Sequence, residues 1–246
     1  MNTPTNPAPF QPRTPNTAGP SRHVYGNRVI CNTDTRGYPT PQNRSPLKLV
    51  VDATEGFIPL WAENTHLRWR FQEQSMGYFA DPDAAASEIE RLLGEALLAW
   101  GEAAPVRFVK RSDAWDFEIA MVPNDECDNT GCVLASAFFP DSGRHELLLY
   151  PMLFQQSPEE QVATLAHETG HIFGLRHFFA AITEKQWKSQ LFGTHRPFTI
   201  MNYGTKSVLT EDDQTDLSRL YELARSGELE KINGTPIRLV NAFHTL

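Results

Sequence analysis

The most informative stretch of this sequence reads His167-Glu-Thr-Gly-His171-Ile-Phe-Gly174-Leu-Arg-His177. On an α-helix, His167 and His171 lie one turn apart on the same face, so both imidazoles can reach one metal ion while Glu168 lies beside them. His177 cannot approach that ion at the right angle if the helix simply continues. Gly174 resolves this, because a glycine can take the left-handed conformation that ends a helix and turns the chain. The stretch therefore predicts a metal site with three histidine ligands.

The ligand set His167, His171 and His177 favours Zn²⁺ and leaves a fourth position open for water, which is typical of catalytic rather than structural zinc sites. Zinc makes such a water acidic enough to supply a nucleophile near neutral pH. Glu168 is too close along the helix to be a fourth ligand, and it is placed to take the water proton and deliver it to a leaving amine. A chance match to five fixed residues is on the order of one in 10⁷ per position. A metal-free helix with solvated side chains is therefore the weaker alternative.

The surrounding patterns predict an α+β domain. Ser157 as N-cap, Pro158 at the first helical position and Glu160 closing a capping box mark the start of the helix that carries the motif. Apolar residues at helical spacing between Asp83 and Ala103 predict another helix. Strand-like runs occur at 47–51, 66–71, 106–109, 117–122, 133–139 and 146–150. We expect the motif helix to pack beneath a mixed sheet.

The motif HExxHxxGxxH, together with Thr199-Ile-Met201-Asn-Tyr203 downstream, resembles the metzincin clan of zinc endopeptidases, and most closely its matrixin branch. Leu134-Ala-Ser-Ala-Phe-Phe-Pro140 resembles the substrate-binding edge strand of that branch, and the run from Leu209 to Asp213 resembles the start of its C-terminal helix. The resemblance covers roughly residues 68–221. It implies a metzincin-like zincin fold, with a mixed twisted sheet over an active-site helix and a C-terminal helix. It also implies cleavage of internal peptide bonds in protein or peptide substrates.

The resemblance assigns further roles. It implies that Met201 is the Met-turn residue beneath the metal site. Tyr203 takes the place where some metzincins carry a tyrosine that binds the metal or stabilises the tetrahedral intermediate. The edge strand offers its main chain to an extended peptide. Its expected substrate-binding residues are Val133, Leu134, Ala135, Ser136 and Ala137.

The sequence also departs from the matrixin pattern. Residues 178–200 are longer than the corresponding matrixin segment, so the cleft wall on that side, and with it the cleavage preference, does not transfer. The histidine cluster of a second, structural zinc is missing before Cys127, and no calcium loop is evident. One Zn²⁺ per chain is therefore expected. The remaining histidines, His66, His145 and His195, are expected to be surface residues.

The three cysteines raise two questions. Cys127 and Cys132 enclose four residues, and a short loop disulfide and two reduced thiols are both plausible. Cys31 lies upstream of the catalytic unit, where matrixin proenzymes place a thiolate that blocks the zinc, although Ile30-Cys-Asn-Thr-Asp34 does not match the switch motif of that family. As a hypothesis, residues 23–45 form an inhibitory prosegment with Cys31 or Asp34 as a temporary fourth ligand.

Composition indicates which partners to expect and how the N-terminus is organised. The net charge is −8 and Lys and Arg are scattered along the chain, so nucleic acid is not expected as a partner. No run approaches the roughly 18 apolar residues of a membrane helix. Residues 1–22 are rich in Pro, Thr and Asn and carry no readable signal peptide, which predicts a disordered leader.

The expected organisation is this leader, an extended segment at 23–45 and one catalytic domain at 46–246, active as a monomer. Metzincins generally work outside the cell, so export by a non-classical route is expected, with a cytoplasmic location as the alternative. The competing function is a catalytically inactive zinc-binding module that recognises peptides along the edge strand. The intact Glu168 argues against it, because an inactive binder needs no base.

Overall fold

The computed structural model describes residues 29–30, 49–52, 56–127, 131–177, 189–192, 200–201 and 208–244. Its helices are α1 Glu73–Met76, α2 Pro82–Trp100, α3 Pro158–Ile172 and α4 Glu211–Ser226, with 3-10 turns at Gly101–Ala103 and Pro151–Gln155. Its strands are β1 Val29–Ile30, β2 Leu49–Asp52, β3 Ile58–Trp61, β4 His66–Phe71, β5 Arg107–Lys110, β6 Phe117–Met121, β7 Cys132–Val133, β8 Ala135–Ser136, β9 His145–Leu149, β10 Ser189–Phe192, β11 Lys231–Ile232 and β12 Thr235–Val240.

The main sheet has five strands in the order β5-β4-β6-β9-β8. Strands β5, β4, β6 and β9 run parallel, and β8 pairs antiparallel with β9 at one edge. Leu67 and Trp69 of β4 are buried while Arg68 and Arg70 between and after them are half-buried, which is the period-two pattern of a strand with one face on the core. The mixed sheet with its helices confirms the predicted α+β, metzincin-like fold class.

Helices α2 and α3 pack against each other and share one hydrophobic core with the inner face of the sheet. Helix α2 begins where the sequence predicts, because the Asp81 side chain accepts a hydrogen bond from the Ala84 amide at 3.0 Å. The Trp100 indole at its other end donates to the Ala166 carbonyl at 2.9 Å and to the Thr169 hydroxyl at 3.0 Å. Trp100 thereby joins the end of α2 to the middle of α3.

The described residues also form three smaller sheets. Strands β11, β12 and β3 form one, with β12 parallel to β3, β10 pairs antiparallel with β2 in the second, and β1 pairs in parallel with β7 in the third. The sequence analysis predicted neither β3 nor the hairpin of β11 and β12. A signal for the hairpin was present, because Asn233 and Gly234 join the two strands with φ angles of 49° and 85°, and Asn-Gly is the preferred pair for such a turn.

Two local predictions were wrong. The predicted strand 133–139 forms only the short strands β7 and β8. Helix α3 does begin at Pro158, but the Ser157 side chain does not cap it; the Ser157 hydroxyl instead bonds the Glu160 carboxylate at 3.3 Å.

Of the two alternatives for Cys127 and Cys132, the structure has the disulfide. No helix in the described part of the chain is long and apolar enough to cross a membrane.

Candidate metal centre

Three histidine side chains converge at the C-terminal end of α3. The Nε2 atom of His167 lies 3.1 Å from the Nε2 atoms of both His171 and His177. All three residues are buried, and within the described ranges they are the one group of histidine, cysteine or acidic side chains whose geometry could hold a metal ion. Tetrahedral ligands at Zn–N distances of about 2.0–2.1 Å would have nitrogens roughly 3.3 Å apart. The observed spacing fits zinc.

The protons on two of these rings follow from their partners. Nδ1 of His167 lies 2.7 Å from the Ile200 carbonyl oxygen, and Nδ1 of His171 lies 2.7 Å from the Leu175 carbonyl oxygen. A carbonyl oxygen only accepts hydrogen bonds, so each Nδ1 carries the proton and each neutral ring presents a lone pair at Nε2. Lone pairs 3.1 Å apart repel one another. A bound cation relieves this repulsion, and backbone carbonyls that orient ligand rings are a common outer layer of zinc sites.

The turn after α3 brings His177 back to the other two rings. Gly174 has a φ angle of 92°, which confirms the predicted left-handed conformation at the end of the helix. The space there is also tight, because a Cβ atom on Gly174 would lie 3.3 Å from the Pro59 carbonyl oxygen. Residue 174 is therefore restricted both by its backbone angle and by its neighbour.

The carbonyls at the end of α3 are all hydrogen-bonded, which holds the turn in place. The acceptors are the carbonyls of residues 170, 171, 172 and 173. Their donors are, in that order, the Leu175 amide at 2.9 Å, the Gly174 amide at 2.8 Å, the Trp61 indole at 2.7 Å and the Tyr221 hydroxyl at 3.0 Å. Two of the four donors come from β3 and α4, so distant parts of the chain define the path to His177.

Met201 is buried against the motif helix. A Cβ atom added to Gly170 would lie 2.5 Å from the Met201 sulfur, so any larger residue at position 170 would require this methionine to shift. Gly170 lies on α3 between His167 and His171. Ile200, the residue before Met201, supplies the carbonyl that orients His167. This packing is compatible with the predicted place of Met201 beneath the site.

Asp213 is a site residue that the sequence analysis missed. The backbone amide of Ile200 donates to the Asp213 carboxylate, and the carboxylate also accepts from the amide and hydroxyl of Thr210, each at 2.8 Å. The Ile200 peptide thus joins Asp213 on one side to His167 on the other. The structure has a capping box of Thr210 and Asp213 at the start of α4, which the Thr-x-x-Asp pattern could have indicated. That pattern gives no sign of the bond to Ile200.

Burial dominates the electrostatics of Asp213. It raises the pKa of this carboxyl from 3.8 to about 6, although the hydrogen bonds from Thr210 and Ile200 favour the charged form. Asp213 is only 1% exposed, so water does little to stabilise its charge.

Glu168, the predicted general base, is 1% exposed and follows His167 on the buried side of α3. The predicted substrate edge lies nearby, because β8 packs against α3 and the Phe139 ring meets the His171 ring edge-on at 5.5 Å. The fully buried Arg176 guanidinium lies 5.5 Å from the same Phe139 ring. The predicted substrate-binding residues 133–137 are themselves buried.

Several predicted residues fall outside the described ranges: Cys31, Asp34, Tyr203 and His195. His66 and His145, expected to be surface residues that bind no metal, are both half-buried, and neither belongs to the histidine group that could hold a metal ion. His145 stacks on the Phe138 ring at a centroid distance of 4.4 Å, which explains its burial without a metal.

Comparison with known families gives one match. The family model of the matrixins matches residues 60–222, more than half of the chain and all three converging histidines. No curated protein matches the chain.

The Gly174 turn generates a first prediction. Gly174→Ala places a side chain at a φ angle of 92° and close to a fixed carbonyl, so we expect the free energy of unfolding to fall by about 1–3 kcal/mol. The matched control is Gly94→Ala, because Gly94 lies inside α2 with open space around its Cα. It is expected to gain about 0.5–1 kcal/mol. Urea unfolding measures both, and equal effects of the two substitutions would contradict the role of the turn.

The Asp213 carboxyl generates a second prediction. Since its folded-state pKa of about 6 lies above its ordinary value of 3.8, the protonated form favours folding. This contribution is present below about pH 4 and is lost as the pH rises through about 6. Relative to Asp213→Asn, wild type should therefore lose up to roughly 3 kcal/mol of unfolding free energy between about pH 4 and pH 7.

Urea unfolding of the zinc-free proteins across this pH range measures the difference, with the exposed Asp83→Asn on α2 as control. A wild-type advantage that stays constant with pH would contradict the prediction.

Proposed function

The chain belongs to the matrixin family, and on that premise we propose that it is a zinc-dependent endopeptidase that hydrolyses internal bonds of protein or peptide substrates. One observation carries the proposal. Three histidine Nε2 atoms meet 3.1 Å apart, two of their rings are oriented by backbone carbonyls, and a buried carboxylate follows the first of them on the same helix. The arrangement suits hydrolysis and has no evident use in a purely structural helix.

The proposed roles follow from position. Zinc held by His167, His171 and His177 would supply a Lewis acid to the substrate carbonyl and lower the pKa of a water molecule. Glu168 acts as general base toward that water and then as general acid toward the leaving amine. Its burial supports this role, because charges interact more strongly where water is excluded. Tyr203 is proposed as a helper at the tetrahedral intermediate, by resemblance alone.

The substrate is proposed to bind as an extended segment along β8. Strand β8 is the outermost strand of the main sheet and packs against the helix that carries the metal ligands. Strand addition at such an edge uses main-chain hydrogen bonds, so it favours unfolded or loop segments over compact ones. We further propose one zinc per chain, a monomeric enzyme and export by a non-classical route.

We also propose that the segment at 23–45 keeps the enzyme latent, with Cys31 or Asp34 as a temporary ligand. Two contacts support this. Strand β1, inside the segment, pairs in parallel with β7, at the N-terminal end of the proposed substrate edge. Beyond the segment, Val51 of β2 forms a bridge with Leu175, the residue whose carbonyl orients His171. The N-terminal part of the chain therefore contacts both the proposed substrate edge and the turn between two ligands.

The general-base assignment is tested by Glu168→Ala. We expect cleavage of denatured, fluorescently labelled casein to fall by about 10²–10⁴-fold while zinc content stays the same. Glu159→Gln is the control, because Glu159 is exposed in the first turn of the same helix. Undiminished cleavage by Glu168→Ala would exclude the role. Bound zinc without cleavage by any form of the chain would favour the inactive peptide-recognition module.

The latency proposal is tested by Val29→Pro/Ile30→Pro. Proline has no amide hydrogen, so the double substitution removes the pairing of β1 with β7. We expect kcat/KM for a peptide substrate to rise about tenfold or more before any processing, the equivalent of about 1.4 kcal/mol. Asn16→Pro/Thr17→Pro in the predicted leader is the control. Cys31→Ala and Asp34→Ala test the ligand itself, and no gain in any of these three variants would overturn latency.

A further inference from the structure

The proposed substrate edge is supported unevenly along its length. Strand β8 is held by the sheet, through the pairs Ala135↔Leu149 and Ser136↔Leu148. Strand β7, which precedes it in the chain, pairs with no strand of the main sheet in the described ranges. Besides its pairing with β1, it is supported by the loop before it, because the Val133 amide donates to the Glu126 carbonyl at 2.8 Å. The first half of the edge therefore depends on that loop.

The loop is closed covalently. The disulfide joins Cys127 to Cys132, the first residue of β7, and the same two residues form a backbone bridge. The residue before the disulfide is also anchored, since the Glu126 carboxylate accepts a hydrogen bond from the Tyr150 hydroxyl at 3.1 Å. A cross-link of this kind reduces the number of conformations open to the segment it closes. The disulfide therefore limits the conformations of the segment that leads into β7, a strand with no pairing to the main sheet in the described ranges.

Strand β7 accepts an added strand. Val29 pairs with Cys132 and Ile30 with Val133, so the chain itself occupies this part of the edge. A peptide that extends past the N-terminal end of β8 reaches the same residues. Peptides of only a few residues, bound at β8 next to the metal ligands, do not reach them.

From these observations, and resting on the proposed function, we infer that the Cys127–Cys132 disulfide is a positioning element for extended substrates. It holds β7 in the geometry that adds main-chain hydrogen bonds to long peptides, and it leaves the chemistry at His167, His171 and His177 unchanged. The disulfide thereby sets the preference of the enzyme for long over short substrates. A merely structural disulfide would affect peptides of every length alike.

The test compares peptide lengths in the full chain. A cleavage site is first mapped in denatured casein, and nested peptides of about four and ten residues around it serve as substrates, since strand addition gains hydrogen bonds with each paired residue. Val29→Pro/Ile30→Pro is the common background, so that β1 does not compete. Cys127→Ser/Cys132→Ser is then compared with the intact disulfide, and reversible reduction of the intact protein gives the same comparison without substitution.

We expect removal of the disulfide to raise KM for the long peptide about tenfold, the size of one or two lost hydrogen bonds. Its kcat should stay within about twofold, and kcat/KM for the short peptide should not change. Reoxidation should restore the original KM. An equal loss for both peptides, or no loss for the long one, would overturn the inference.

Failure of the proposed function is distinguishable from failure of this inference. Binding of the fluorescent ten-residue peptide to Glu168→Ala, followed by anisotropy, needs no cleavage. If the chain cleaves nothing but the dissociation constant still rises about tenfold without the disulfide, the enzyme proposal fails and the positioning role stands. If the chain cleaves casein and the dissociation constant is insensitive to the disulfide, the positioning role fails alone.

Discussion

The hydrogen bonds from two imidazoles to backbone carbonyls are the interactions on which the rest of this structure depends. They fix the Nδ1 protons of His167 and His171 and so direct two lone pairs to one point. Such an arrangement is unfavourable without a cation, and it persists only if the backbone that supplies the carbonyls cannot relax. Contacts from α4, α3 and β2 hold those two peptides, at Ile200 and Leu175, in place.

Helix α4 supplies much of that rigidity, although it begins more than thirty residues after the last ligand. Asp213 in its first turn bonds the Ile200 amide, and Tyr221 in its third turn bonds the last carbonyl of the α3 turn. Arg225, one turn later, donates to the carbonyls of Trp61, Ala62 and Pro105. One helix therefore connects the Met201 region, the end of α3 and β3, and a shift of α4 would move all three.

The parts that the sequence predicted are those set by local spacing. The ligand positions on one face of α3, the left-handed Gly174 and the start of α2 each follow from residues less than two turns apart. The Ile200–Asp213 bond and the pairing of β12 with β3 join residues that only the tertiary fold brings together, so no local pattern contains them. The capping box was misassigned for a related reason. Ser157 and Thr210 both have an acidic residue three positions later, and only Thr210 forms the box. The hairpin at Asn233-Gly234 is different, because its local signal was present.

One segment outside the family match, β2, contacts the turn between His171 and His177. The match ends at residue 222 and begins at residue 60, yet β2 and β12 lie beyond those limits and both pair with strands of the fold. Leu175 has two partners: its carbonyl orients His171, and it forms a bridge with Val51 of β2. Leu175 thus links β2 directly to one of the three converging histidines. The shared motif supplies the three converging histidines, and β2, in the N-terminal part of this chain, contacts the residue whose carbonyl orients one of them.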